Sequence, residues 1–110
     1  MLWTPGQPLR LMTLTCPALQ PGQVLVDVAY SGVCHTQLSE VRGKRGLQRF
    51  LPHTLGHEGA GTVVAVGAGV TKVASGDRVV LSWIKSDGAE VPSTCYQSAE
   101  GAVHSGAMST

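Results

Sequence analysis

The sequence is poor in aromatic residues, at 5% of its 110 positions, and poor in cysteine, with three. Cys16, Cys34 and Cys95 are widely spaced and form no CxxC pair. So sparse and odd a set excludes a disulfide framework and points to a reducing compartment. Charge of one sign is lacking too: the net charge is +1, too little to draw the chain to nucleic acid or an anionic membrane. The densest cationic stretch, Arg42, Lys44, Arg45 and Arg49, reads as a solvated loop face rather than a phosphate site. No apolar run nears the ~20 residues needed to cross a bilayer. The amino terminus has no basic segment leading into an apolar one, so no secretory signal is read. A cytoplasmic protein with neither nucleic-acid nor membrane partners is the expectation.

What the chain does have is a hydrophobic content of 43% and 14 glycines. That is enough for one modest folded domain, and the frequent valines favour strands joined by tight turns. Leu9 to Leu14 reads as a first strand with imperfect alternation. Gln23 to Tyr30 is cleaner: Val24, Val26, Val28 and Tyr30 share one face and Asp27 the other. A short helix is expected over Thr36 to Val41, closed by Gly43 in a left-handed cap. Residues 44–55 read as loop. Gly61 to Val66 and Arg78 to Trp83 are further strands, with Ser75, Gly76 and Asp77 as a turn between them. From Lys85 onward no period emerges, and residues 85–110 are expected to be an incomplete, poorly ordered continuation of a domain spanning 1–84. The class is mainly β, with corner glycines suited to a small barrel.

Chemistry concentrates in two places. Cys34 follows a strand in Gly32-Val33-Cys34-His35-Thr36, and His57 and Glu58 precede one in Gly56-His57-Glu58-Gly59. Thiolate, imidazole and carboxylate are natural zinc ligands, and strand ends give them fixed directions. From residue types alone other roles stay open: Cys34 as a small buried hydrophobe, His57 as a satisfied loop histidine, Glu58 as a surface charge. Two other patterns fail on their mechanics. Gly59-Ala60-Gly61 begins like a dinucleotide fingerprint, but Val64 stands at the third glycine and a strand, not a helix, follows. His53 and His57 have zincin spacing, but Thr54 replaces the glutamate, and Pro52 and Gly56 disfavour the helix.

Taken together, Gly32-Val33-Cys34-His35-Thr36, Leu55-Gly56-His57-Glu58-Gly59-Ala60-Gly61, Val66-Gly67 and Gly76-Asp77-Arg78-Val79 resemble the zinc-dependent medium-chain alcohol dehydrogenases in order and spacing, from about residue 8 to residue 84. The resemblance implies a GroES-like, partly open β-barrel with one or two short helices. In the family this is followed by a Rossmann domain for NAD or NADP, which these residues do not include. It implies that Cys34 and His57 are the first two catalytic zinc ligands, with Glu58 as the neighbouring acid able to ligate. Thr36 matches the hydroxyl that relays the alcohol proton, and His35 a position contacting cofactor phosphate. The substrate implied is a small alcohol or aldehyde.

This sequence also departs from the family pattern. The third zinc ligand, a cysteine, is expected beyond Thr110, and Cys95 does not stand in its context. Gln37 replaces an aspartate that orients the zinc-bound histidine, and the four-cysteine structural-zinc lobe is missing. The first family strand reads as clipped at Met1, which would bare a sheet edge. The expectation is a zinc-dependent alcohol oxidoreductase domain, truncated and inactive by itself. The rival is a non-catalytic barrel module that associates with a partner subunit or as a homo-oligomer.

Overall fold

The computed structural model describes residues 1–46, 50–84, 87–88 and 90–106. Val24–Ser31 forms β1, where alternating valines give a pleated face to bury. His35–Val41 forms α1, and Gly43, at φ 72°, ends it in the left-handed region as its lack of Cβ allows. Glu58–Val66 is β2 and Arg78–Ser82 is β3. The three strands make an antiparallel sheet in the order β1-β2-β3, so β2 is central. A turn between β2 and β3 is closed by the Asp77 carboxylate, which accepts from the Ala74 amide at 2.8 Å.

Register places the two chemical segments side by side. Val24 opposes Val66 at one end of the β1–β2 pair, and Ser31 opposes Gly59 at the other. Register shifts leave Val64 of β2 and Ala29 of β1 without an opposite residue, and such extra residues bend the strand that carries them. Gly61 lies where β1 approaches most closely: a Cβ there would strike the Asp27 carbonyl oxygen.

Two expectations from the sequence need correction. Leu9 to Leu14 is not a strand. The segment is held through Arg10 instead: the Arg10 amide donates to Met1 O, and the Arg10 guanidinium lies 2.6 Å from Glu100 and over the Trp3 ring. Its apolar residues fall on both sides of the chain, and Leu11 is fully exposed, so no single face drives it into a sheet. The second correction concerns the region after Lys85. Cys95–Ser98 (β4) and Gly101–His104 (β5) form an antiparallel hairpin, with Thr15 bridging Gln97. Its strands are short and poor in β-branched residues, which is why alternation did not reveal them.

The wholly buried side chains, Leu2, Val63 and Val103, come from the N-terminal segment, β2 and β5, so those three parts share the core. His53 ties the outer two together by bridging both Leu2 and His104. The barrel is partly open, and its interior keeps an apolar cleft of about 600 Å³ lined by Val24, Val26, Val79, Leu81 and Tyr96. One helix, α1, is present among the described residues. None is long and apolar enough to cross a membrane.

Because the Gly61 clash is with backbone rather than a movable side chain, Gly61→Ala is expected to destabilise the chain by about 1–3 kcal/mol, read as a lower urea midpoint at unchanged slope.

Candidate metal centre

Cys34 is the N-cap of α1, in extended conformation at φ −85° and ψ 151°. The helix is fastened to it from both directions. The Cys34 amide donates to Gln37 Oε1 at 2.9 Å, and the Gln37 amide donates to Cys34 O at 3.1 Å. Such a reciprocal cap satisfies donors that a helix start otherwise leaves unpaired. Gln37 is buried, and this bond fixes its role: its amide oxygen serves the Cys34 backbone.

His57 and Glu58 stand at the start of β2, after Gly56 turns the chain at φ 125°. The Gly32 amide donates to Glu58 O at 3.1 Å, extending the β1–β2 pairing to the foot of the helix. Gly32 also leaves room there, since a Cβ would collide with the Glu58 carboxylate. One donor atom each from Cys34, His57 and Glu58 thereby lies within 4.8 Å of the others. The His57 Nε2–Glu58 Oε1 separation is 3.7 Å. Two nitrogen or oxygen ligands on a tetrahedral zinc stand about 3.4 Å apart, and a sulfur pair slightly more. The donor set and its spacing therefore fit zinc with small side-chain rotations.

The sulfur is electrostatically prepared. The Thr36 amide and hydroxyl, and then the His57 ring, donate towards it and hold the Cys34 thiol below its ordinary value, against a smaller opposing effect of burial. A lowered thiol favours the thiolate that metals and electrophiles require. His57 is largely shielded, whereas half of the Glu58 side chain meets solvent.

Thr36 and His57 also border a cavity of about 370 Å³ that extends past Phe50 to Glu40 and His53. His35 is exposed at the first turn of α1 and lies outside the three-residue cluster. Cys95 is exposed on β4, likewise outside it. Arg49 of the cationic stretch lies outside the described residues. Sequence reasoning gave no role to the contact between Glu40 and His53, 3.1 Å apart and both largely buried. Neither residue type nor spacing signals it, because the partners meet only through the fold.

The sequence pattern of the alcohol dehydrogenase GroES-like domain matches residues 20–109. The chain belongs to that family. It is 47% identical over 85 residues to an alcohol dehydrogenase of Schizosaccharomyces pombe, covering 76% of this chain and 24% of the relative. An alcohol dehydrogenase of a Moraxella species is 42% identical over 81 residues, covering 74% and 24%. An S-(hydroxymethyl)glutathione dehydrogenase of Escherichia coli is 42% identical over 78 residues, covering 71% and 21%. The chain thus spans about a quarter of the length of these curated relatives. The matched GroES-like region contains the whole Cys34, His57 and Glu58 cluster.

Alkylation tests the prepared thiol. In chelator-treated chain, carbamidomethylation of Cys34 by iodoacetamide, followed by peptide mass, is expected to have a pH midpoint below the ~8.5 of a free thiol. Thr36→Val removes one donor and should move that midpoint upward; an unmoved midpoint would count against the hydrogen bond.

Proposed function

We propose that this domain supplies the zinc-binding and proton-handling half of an alcohol or aldehyde oxidoreductase. The observation that carries the reading is the convergence of a thiol, an imidazole and a carboxylate within 4.8 Å, on a fold of the alcohol dehydrogenase family. Cys34, at the cap of α1, and His57, just before β2, would hold the ion, with Glu58 next to them. When bound, zinc supplies Lewis-acid polarisation of the substrate oxygen.

The chain's own residues would do the rest. Thr36 lines the cavity that His57 also borders, which supports a role in which its hydroxyl would take the proton of a bound alcohol and pass it outward. His35, exposed on the first turn of α1, is available to an anionic group such as a cofactor phosphate. Gln37 steadies the metal centre by holding the backbone of Cys34. A nicotinamide cofactor, NAD or NADP, would accept the hydride, a chemistry that belongs to the cofactor rather than to the barrel. Turnover would thus require a nucleotide-binding domain in addition to residues 1–110, and a cytoplasmic setting would keep the thiol reduced.

Elemental analysis of purified chain tests this. Wild type should carry zinc, while Cys34→Ser and His57→Ala should each lose most of it. Equal occupancy in all three would refute the site.

A second reading, a barrel module that associates with a partner subunit or with its own copy, is favoured by a separate observation. The accessible surface is 7613 Å², against about 5,800 Å² for a compact monomer of this mass. Val80, Tyr30, Ile84 and Trp83 are among the exposed large hydrophobic residues, and exposed apolar area favours association. Chromatography with light scattering should then show mass above 11.4 kDa; a strict monomer at all concentrations would count against self-association.

A further inference from the structure

Glu40 and His53 make a polar contact that lies outside the Cys34–His57–Glu58 cluster yet spans the two segments that carry it. Glu40 stands on α1, the helix capped by Cys34, and His53 on the loop that leads to His57. His53 Nε2 is 3.1 Å from Glu40 Oε1, with the side chains only 11% and 17% exposed. On the other side of the ring, Nδ1 is 2.6 Å from Thr54 O. A carbonyl oxygen can only accept, so Nδ1 donates to Thr54 O, and Nε2 is left to face the Glu40 carboxyl in a second polar contact largely out of water.

The His53 side of this contact is a fixed frame. His53 and Leu2 exchange both backbone hydrogen bonds, at 3.0 and 3.1 Å. The Thr54 amide donates to His104 O at 2.9 Å, and the Gly106 amide to Thr54 Oγ1 at 2.7 Å. Leu2 and Val103, at the two edges of this ladder, are wholly buried.

The helix is a different matter. It has seven residues, of which only Gln37 is buried. A helix so short is marginal by itself, and with so little apolar packing its placement falls to polar contacts. Among the described residues these include the Gln37 cap, the Gly6 amide donating to Val41 O at 2.7 Å, and Glu40 with His53. Of these, the Glu40–His53 contact reaches the loop that delivers His57.

We infer that Glu40 and His53 are positioning residues for the metal centre: their buried contact fixes the helix presenting Cys34 against the loop presenting His57. The inference rests on the zinc-binding reading above. Neither side chain belongs to the ligand cluster, so both act through the separation of the ligands.

The test is a double-mutant cycle on cobalt(II) binding by the metal-free 110-residue chain, read from thiolate-to-cobalt charge-transfer absorption. Glu40→Ala and His53→Ala should each weaken binding by about tenfold, the lower range for losing a group that orients ligands. The double variant should be no weaker than either single one, because both remove the same contact. Glu40→Gln should keep most of the affinity, since an amide N–H can donate to Nε2 of a neutral ring. Gly76→Ala, which strains the β2–β3 turn at φ 96° and so weakens the fold away from the pair, should bind cobalt like wild type wherever it is folded. Unchanged affinity in the single variants would overturn the inference. So would additive losses in the double variant, or losses that follow the melting temperature of the metal-free chain equally in Gly76→Ala. Cobalt absorption that survives in Cys34→Ser would instead overturn the metal centre itself, a separate result.

Discussion

The structure depends on the antiparallel pairing of β1 with β2. That ladder ends with Ser31 opposite Gly59, and the Gly32 amide continues it by bonding Glu58 O. Cys34 follows β1 directly and Glu58 begins β2, so strand register alone brings distant parts of the sequence to one spot. A slip of one residue would turn every side chain of β1 to the other face of the sheet and carry Cys34 away from His57. The half-buried valines of β1 and the fully buried Val63 resist such a slip, because it would expose them. Burial in the barrel and ligand geometry at its rim are therefore one constraint.

The glycines around the ligands serve the same end by different means. Gly56 supplies a backbone turn at φ 125° just before His57. Gly32 supplies empty space, which the Glu58 carboxylate fills. Gly61 lets β1 come close enough for the pairing to form. Each substitution would act on the centre at a different level: chain direction, carboxylate position or strand distance. This explains why sulfur, imidazole and carboxylate alone do not define the site, and why the pattern of residues between them was needed to recognise it.

Much of this was legible beforehand. Alternating valines gave β1 within a residue of its observed start, and Gly43 correctly closed the helix. The Cys34, His57 and Glu58 grouping was also visible, through the flanking motifs and the family resemblance. What escaped was whatever depends on contacts distant in sequence. The β4–β5 hairpin has four-residue strands of mixed polarity, and the wholly buried Val103 precedes His104, which the distant His53 bridges. Leu9 to Leu14 failed for the opposite reason: an imperfect local alternation suggested a strand, but among the described residues it pairs with none, and Arg10 is engaged by Trp3 and Glu100 instead.

Gln37 shows how a residue of expected function can be explained by local chemistry. It stands where the family carries an acid that orients the histidine, a task an amide could share without supplying charge. Its oxygen is instead committed to the Cys34 amide, and its side chain is buried in doing so. A carboxylate at this position could accept the same hydrogen bond, but it would bring negative charge beside a sulfur whose thiolate form the Thr36 donors already favour. Like charges at close range disfavour ionisation of both groups. The neutral amide keeps the cap without that repulsion. In this chain the charge balance at the sulfur is thus set by Thr36 and His57, with the residue at position 37 contributing geometry.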